Sequence, residues 1–250
     1  MSKILIGENI SKSFNENKQK VLNNVSISIE KGEFLSIMGP SGSGKSTLMY
    51  ILSGMDECDE GKILFNNKDF SSLNVDELSN TRLTKMGFIF QQPSLLKNLN
   101  ILDNIILPSV KLNKKNVKTI TEKGISLMNK VGLQNLETRN ISQVSGGQLQ
   151  RAGICRALMN NPEIIFGDEP TGALNSKSAQ EIMEILRDIN EKGTTIVLVT
   201  HDAKIAAQSE RILFMNDGEI INELKLTKFH NHNLDKRIEE VTQKMQEMSI

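Results

Sequence analysis

A glycine-rich loop carries the strongest chemical signal in this chain. It lies between an apolar run at 34–38 and a helix-like run at 47–52, and its sequence is Gly39-Pro40-Ser41-Gly42-Ser43-Gly44-Lys45-Ser46-Thr47. The glycines allow backbone N–H groups to point at β- and γ-phosphate oxygens, Lys45 adds a positive charge, and Ser46 offers a hydroxyl to Mg²⁺. The loop predicts a nucleoside triphosphate site. It does not by itself distinguish kinases, GTPases, helicases and transport ATPases.

Two adjacent carboxylates follow a second apolar segment. Asp168 and Glu169 come directly after the run at 164–167. Because the carboxyl ends of parallel strands meet at one edge of a sheet, we expect this pair beside the phosphate loop. Asp168 would hold Mg²⁺ through water, and Glu169 would face the attacking water. The alternative is a pair of surface acids before a turn, which the nearby phosphate loop disfavours.

A third segment also has the chemistry of an anion site. Val144 is followed by Ser145, Gly146, Gly147 and Gln148 at the start of a helix-like run. Free N–H groups and the helix dipole would be directed at one spot there. The phosphate loop of the same chain cannot easily use this segment, so we expect it to meet a phosphate held elsewhere.

Composition limits the classes of function. The 250 residues suit one large α/β core with an inserted lobe. Thirty basic residues balance thirty acidic ones, which argues against a nucleic-acid partner. Cys58 and Cys155 are far apart and form no metal-binding pair, so we expect two small apolar residues in a reducing cytosol. No apolar run approaches the roughly 18 residues that a membrane span needs.

Hydrophobic spacing places these motifs on elements. Alternating apolar residues at 4–14 and 21–29, separated by a polar loop at 15–20, predict an antiparallel β flank. A hairpin is expected at 61–67 and helical structure at 93–145. The core then resumes with a helix at 148–159, a strand at 164–166, a helix at 177–190 and a strand at 194–199. The predicted fold is α/β: a P-loop NTPase core with a mostly parallel sheet, an antiparallel flank and an inserted helical subdomain.

Taken in order, the motifs resemble the nucleotide-binding subunit of ATP-binding-cassette transporters. The phosphate loop, the segment Ser145–Gln148 and the Asp168–Glu169 pair match, and so do Gln91 and His201. The resemblance covers nearly the whole chain. It implies that two chains enclose two ATP molecules with Mg²⁺, with the Ser145–Gln148 segment of one chain on the γ-phosphate held by the other. It also implies a membrane permease as partner, no nucleic acid, and a cytoplasmic position on the inner face of the membrane.

The same resemblance assigns roles to single residues. Glu169, His201 and Gln91 would form the catalytic set, with His201 bonding the γ-phosphate and orienting Glu169. Ser46, Gln91 and Asp168 would hold the metal. Phe14 occupies the position of the aromatic residue that stacks on adenine, where the family usually has tyrosine. The nucleotide itself would contact Phe14, Gly39, Ser41, Gly42, Ser43, Gly44, Lys45, Ser46, Thr47, Ser145, Gly146, Gly147 and Gln148.

Two positions depart from the family pattern. Val144 stands where leucine is usual, which is a small apolar change. Asn175 stands where many relatives have aspartate, so the loop before it loses a charge. Within the family, the segment 167–178 is similar to subunits of bacitracin-type antimicrobial-peptide resistance systems, which resemble the macrolide-export and lipoprotein-release branch.

The domain organisation follows from these matches. We expect one ATPase domain at 1–225, with a helical subdomain at about 93–150, and an amphipathic helical tail at 226–250. The tail would cover its own core, and contact with a partner is the alternative. Its apolar spacing comes from Leu234, Ile238, Val241, Met245 and Met248.

Two alternatives stay open. A soluble cassette ATPase could act on ribosomes or DNA, although such proteins usually carry two cassettes or a long coiled coil. A P-loop kinase or GTPase would give no reason for the segment 144–148. The transported molecule and the direction of transport are not encoded in this chain.

Overall fold

The computed structural model describes residues 2–14, 19–229 and 233–248. These residues form two compact units. The first unit contains residues 1–79 and 190–250, and the second contains residues 80–189. The α/β class predicted from the sequence is confirmed, since strands and helices alternate along both parts of the chain.

An antiparallel sheet forms one side of the first unit. It consists of β1 (Lys3–Phe14), β2 (Gln19–Glu30), β4 (Glu60–Phe65) and β5 (Lys68–Asp69), in the order β2-β1-β4-β5. This is the predicted flank, and β4 and β5 form the predicted hairpin. Residues 19 and 20, expected in a loop, belong to β2, and residues 15–18 of that loop lie outside the described residues.

The remaining strands of the first unit are mostly parallel. β3 (Phe34–Met38) pairs in parallel with β8 (Thr195–Thr200) and with β9 (Arg211–Asn216). β10 (Glu219–Lys225) runs antiparallel to β9. All residues of β3 and β8 are buried. This explains why their sequences are mainly apolar and do not alternate between apolar and polar residues. The helices here are α1 (Lys45–Leu52), α7 (Ala203–Ala206) and α8 (Leu234–Glu247).

The second unit combines two parallel strands with a group of helices. β6 (Met86–Phe90) pairs with β7 (Ile164–Asp168), and the helices are α3 (Ile101–Leu112), α4 (Val117–Lys130), α5 (Gly146–Leu158) and α6 (Ser176–Glu191). Helices α3, α4 and α5 enclose an apolar core that includes Ile105, Met128, Leu133, Ala152 and Cys155. These helices form the insert that the helical spacing of apolar residues predicted.

Helix α2 (Val75–Lys85) was not predicted from the sequence. None of its described residues is buried, so it has no apolar stripe to detect. Its ends are stabilised locally instead. Asn74 and Glu77 form reciprocal hydrogen bonds of 2.9 and 3.0 Å between side chain and backbone, and Arg82 and Lys85 lie in the last turn, where positive charge favours a helix.

Helix α8 packs its apolar face on the first unit. Val241 is fully buried, and the neighbouring side chains of the same face join a cluster that contains Met38, Ala206, Ala207, Ile212 and Phe214. The tail therefore covers an apolar surface of its own chain. Among the described residues, none of the helices combines the length and the apolar character that crossing a bilayer requires.

The two cysteines differ in environment, which gives a first testable prediction. Cys155 is buried, and desolvation raises the pKa of its thiol to about 12, whereas Cys58 is partly exposed and its pKa is also raised by burial. At pH 8 only about one Cys155 in 10⁴ would be thiolate. A thiol reagent should modify Cys58 slowly and Cys155 only after unfolding. The Cys58→Ser protein isolates the second thiol, and rapid labelling of that variant in the folded state would contradict the assignment.

Candidate active site

The phosphate loop and His201 follow two strands that end level with each other. β3 and β8 pair in parallel from Phe34 with Ile196 to Met38 with Thr200. The next residues along the chain are Gly39, which opens the loop, and His201. The register therefore brings the predicted phosphate loop and the predicted histidine to one edge of the first unit.

The glycines of the loop are required by close backbone contacts. Gly44 has φ of 95°, and a β-carbon there would lie 2.6 Å from the carbonyl oxygen of Val21. A β-carbon on Gly39 would lie 2.1 Å from the carbonyl oxygen of Met215. Both distances are shorter than any van der Waals contact allows, so only glycine fits these positions. The loop is thus held by main-chain atoms of β2 and β9.

The loop has the features of a phosphate cradle. Lys45 is buried and its Nζ donates to the carbonyl oxygen of Pro40 at 2.7 Å, which folds the cation over the loop. Ser43 is also buried, and its Oγ has no hydrogen-bond partner among the described residues. The N-cap residue of α1 is Gly44, which has no side chain to cap the helix. A buried hydroxyl, a folded-back cation and an uncapped helix start suit a bound phosphate oxygen.

The other predicted residues of the loop lie around this cradle. Ser41 and Gly42 are exposed at its tip, and Ser46 and Thr47 are half-buried in the first turn of α1. A hydroxyl at that position is a suitable oxygen ligand for Mg²⁺.

His201 is exposed at a tightly hydrogen-bonded turn. The backbone N–H of Asp202 donates to Thr200 Oγ1 at 3.1 Å, and the carboxylate of Asp202 accepts from the N–H of Lys204 at 2.8 Å. The second bond caps the start of α7. The imidazole is therefore accessible, while the backbone that carries it is fixed on its C-terminal side.

Gln91 and Glu169 follow the two strands of the second unit. β6 and β7 pair in parallel from Met86 with Ile164 to Phe90 with Asp168. The surroundings of Gly172 show how close the side chains of Gln91 and Glu169 lie to each other. A β-carbon on this glycine would lie 3.0 Å from Gln91 Nε2 and 3.3 Å from Glu169 Oε2. The structure therefore brings these two predicted catalytic residues together, beside the carboxyl end of β7 that carries Asp168.

Glu169 has an unusual backbone. Its φ is +46°, a left-handed conformation that costs a residue with a β-carbon of order 1 kcal/mol or more. Its carbonyl accepts from the N–H of Gly172 at 3.0 Å, which closes a tight turn. Such strain is retained where the surrounding structure over-determines it, and it is common at functional sites.

The segment Ser145–Gln148 forms the N-terminus of α5. Ser145 accepts from the N–H of Gln148 at 3.3 Å, and the Gln148 side chain accepts from the N–H of Ser145 at 2.7 Å. Ser145 and Gly146 are exposed, while Gly147 is buried so closely against Ser178 that a β-carbon would lie 3.0 Å from its Oγ. The helix begins two residues earlier than predicted because this reciprocal cap includes the glycines in the first turn.

Helix α5 is fixed to neighbouring elements by residues that were not singled out in the sequence. The buried side chain of Gln150 donates to the carbonyl oxygen of Phe90 at 2.9 Å, next to Gln91. Arg151 pairs with Glu181 of α6 at 2.6 Å. The signal that could have revealed Gln150 is a polar residue two positions after Gln148, on a helix face that must be buried.

Asn175 retains a structural role despite its departure from the family pattern. Its Oδ1 accepts from the N–H of Ser178 at 2.9 Å, so it caps α6. Asparagine and aspartate cap helices about equally well. The missing charge therefore leaves the start of α6 intact.

Phe14 ends β1 and is 44% exposed, so its ring is accessible to a stacking partner. Lys12, which was not considered in the sequence, places its Nζ 5.3 Å from the ring centroid and is itself held by Asp56 at 3.0 Å. A cation over one ring face fixes the ring without occupying its whole exposed surface. Stacking on adenine through the ring remains a prediction.

The predicted metal ligands are all hard oxygen donors. Ser46 belongs to the first unit, and Gln91 and Asp168 belong to the second. No group of three or more His, Cys, Asp or Glu side chains that could hold a metal occurs among the described residues. This donor set fits Mg²⁺, which proteins usually hold by one or two carboxylates together with substrate phosphates and water.

Comparison with known proteins identifies the family. Residues 22–172 match the model of the ABC transporter family, a span that contains the phosphate loop, Gln91, Ser145–Gln148 and the Asp168–Glu169 pair. The lipoprotein-releasing system ATP-binding protein LolD of Aquifex aeolicus is 43% identical over 224 residues, which cover 90% of this chain and 99% of that protein.

Other relatives are longer or have solved structures. The macrolide export ATP-binding/permease protein MacB of Mannheimia succiniciproducens is 46% identical over 83% of this chain, but the match spans only about a third of that relative, 32%. A dimeric structure of the ATP-binding cassette MJ0796 bound to ADP and Pi has a TM-score of 0.83 at 39% identity, covering 90% of this chain and all of that one. This chain therefore belongs to the ABC transporter family, as an ATP-binding and ATP-hydrolysing cassette of the MacB and LolD type.

Proposed function

We propose that two copies of this chain close around two MgATP and drive a separate membrane permease. The proposal rests on one observation. In each unit, two paired parallel strands end at residues that lie opposite each other. Met38 and Thr200 end together before the phosphate loop and His201, and Phe90 and Asp168 end together before Gln91 and Glu169. Residues 1–225 would act as one ATPase domain, with residues 226–250 as a tail.

The residues divide into binding and chemical roles. Lys45, the amides of the phosphate loop and Ser43 Oγ hold the β- and γ-phosphates. Glu169 accepts a proton from the attacking water, which Gln91 helps to orient, and His201 contacts the γ-phosphate. Ser46, Gln91 and Asp168 would hold Mg²⁺, which would supply positive charge next to the phosphate oxygens.

The segment Ser145–Gln148 completes the site of the other copy. Its helix has 13 residues, so a full dipole and the first-turn amides are presented at an exposed end. The reciprocal bonds between Ser145 and Gln148 would be exchanged for bonds to a γ-phosphate. A relative of known structure is dimeric with ADP and Pi bound, which supports the same arrangement here.

The relatives' names support a permease partner, and the similarity of segment 167–178 to peptide-resistance subunits suggests the task. MacB is named as a macrolide export ATP-binding/permease protein, and LolD as the ATP-binding protein of a lipoprotein-releasing system. This chain matches nearly all of the second kind, so we propose a separate permease, with the subunit on the cytoplasmic face of the membrane. Antimicrobial-peptide resistance or export is the proposed task. Lipoprotein release, a cell-division system and a non-transport partner are the alternatives.

Reconstitution separates these tasks. The chain would be assembled in vesicles with the candidate permease, and ATP turnover would be measured with bacitracin, a macrolide or a lipoprotein. Stimulation by the peptide alone supports the resistance role, and stimulation by lipoprotein alone replaces it. Unchanged turnover with and without the permease favours the non-transport alternative.

Loss of the loop cation should strongly weaken nucleotide binding. Lys45→Ala deletes the charge that folds over the phosphate loop, and a charge-assisted phosphate contact is among the strong hydrogen bonds. We expect ATP affinity to fall at least about tenfold, which corresponds to roughly 1.4 kcal/mol. Lys31→Ala removes an exposed lysine at the opposite end of β3 and should bind ATP normally. Parental affinity in Lys45→Ala would refute the assignment of the loop.

Replacing the proposed base should separate binding from hydrolysis. Glu169→Gln keeps the size of the side chain but cannot accept the proton of water, so turnover should fall roughly 10²–10⁴-fold while ATP binding persists. The variant should accumulate as an ATP-bound dimer in size-exclusion chromatography. Glu163→Gln, before the other end of β7, is the matched control. Normal hydrolysis by Glu169→Gln would move the base to another residue.

The shared site makes a third prediction. Ser145→Arg places a bulky side chain where the γ-phosphate of the other copy should dock, so ATP should still bind while turnover and ATP-dependent dimerisation are lost. Ser142→Arg alters an exposed serine three residues earlier and should retain both. If Glu169→Gln with Ser145→Arg still dimerises on ATP, the active site is not shared and the single-chain P-loop enzyme is the better account.

A further inference from the structure

Arg237 of α8 holds three main-chain carbonyls of the first unit. The side chain is only 3% exposed. Its Nε donates to Ala207, its Nη2 to Ser209 and its Nη1 to Thr227, each at 2.6 Å. Because a guanidinium carries its donors in a rigid planar fork, these three bonds fix the two backbone segments relative to each other and to α8.

Burial of the Arg237 charge is unfavourable, and neighbouring groups oppose this effect. Desolvation lowers the pKa of the guanidinium, and the carboxylates of Glu240 and Glu210 oppose that shift. Arginine stays protonated in proteins. The ring of Phe229 lies 5.4 Å from Cζ and adds a cation–π contact. A buried cation is tolerated only where its donors are satisfied, so removal of this fork should alter the backbone that it holds.

The held segment begins at the proposed catalytic histidine. α7 has only four residues and follows His201 and Asp202 directly. A helix of one turn is unstable by itself, so its position depends on contacts at both ends. Asp202 caps the first end, and Arg237 binds the carbonyls of Ala207 and Ser209 at the second.

The apolar face of α8 shares one cluster with the end of the strand that leads into the phosphate loop. Val241 belongs to the same cluster as Met38 and Ala206. Met38 pairs with Thr200, which precedes His201, and is followed by Gly39. Helix α8 therefore packs in the same apolar cluster as the short helix after the histidine and the last residue of β3.

We propose that Arg237 is a positioning residue for His201, acting through α7, so that α8 sets the rate of ATP hydrolysis and not the affinity for ATP. This inference rests on the proposed function, because it requires His201 to act in hydrolysis. The phosphate loop is held by β2 and β9 contacts that do not involve Arg237, which is why binding should be spared.

The test uses the full chain with Arg237→Met. Methionine is also unbranched and fills part of the same space, but it has no hydrogen-bond donors. We expect kcat to fall at least about tenfold, because small displacements of a catalytic group cost that much or more. The KM for ATP should stay within about twofold of the parent. Arg237→Lys retains the charge and can reach fewer carbonyls, so it should restore part of kcat. If Arg237→Met does not fold, Arg237→Lys carries the test.

Two control variants separate positioning from general stability. Lys236→Met removes the neighbouring, exposed cation of α8 and should leave kcat and stability unchanged. Met128→Ala removes packing from the separate core of α3, α4 and α5, and should lower the melting temperature without lowering the kcat of the folded protein. A kcat that falls in proportion to melting temperature in both Arg237→Met and Met128→Ala would overturn the proposal, since the role would then be structural only.

A double substitution tests whether Arg237 affects kcat through His201. His201→Ala should lower kcat, and adding Arg237→Met should lower it no further, because the group being positioned is already absent. Amide hydrogen exchange at 201–209 should accelerate in Arg237→Met and not in Lys236→Met. Additive losses, or unchanged exchange, would overturn the positioning role while the proposed function stands. Parental turnover in His201→Ala would instead remove the catalytic role of the histidine, and the inference with it.

Discussion

Parallel strand pairing in register is the constraint on which the rest of this structure depends. Backbone hydrogen bonds hold Met38 level with Thr200 and Phe90 level with Asp168. A slip of one residue would reverse the facing of every side chain in these largely buried strands, so the register is strongly specified. The residues that follow are therefore delivered to defined edges, although they are distant in sequence.

The exposed residues of the site are fixed by backbone geometry and helix caps more than by burial. Ser145 and Gln148 satisfy each other, Asn175 caps α6, and Asp202 caps the short helix after His201. The turn at Glu169 carries a positive φ. Side chains held in this way remain open to a ligand, because their anchors are main-chain groups and the functional atoms are at the surface.

The sequence was most informative where chemistry demands a particular residue type. Glycine spacing predicted the phosphate loop. Continuous apolar runs predicted the buried strands and the carboxylates at the end of β7. Helix α2 could not be predicted because none of its residues is fully buried, and β9 and β10 lack a motif that would draw attention to them. The tertiary roles of Gln150 and Arg237 were also invisible, since each depends on carbonyl groups far away in the chain. The strain at Glu169 has no local sequence signal.

The central claim is that each active site is built from two copies of the chain, and turnover by a mixture tests it most directly. One chain would carry Lys45→Ala and the other Ser145→Arg, each inactive alone. In a mixed dimer, the intact phosphate loop of the second chain meets the intact Ser145–Gln148 segment of the first. The account predicts that the equimolar mixture recovers part of the parental ATP turnover. A mixture as inactive as either variant alone, under conditions where the two chains associate, would contradict it.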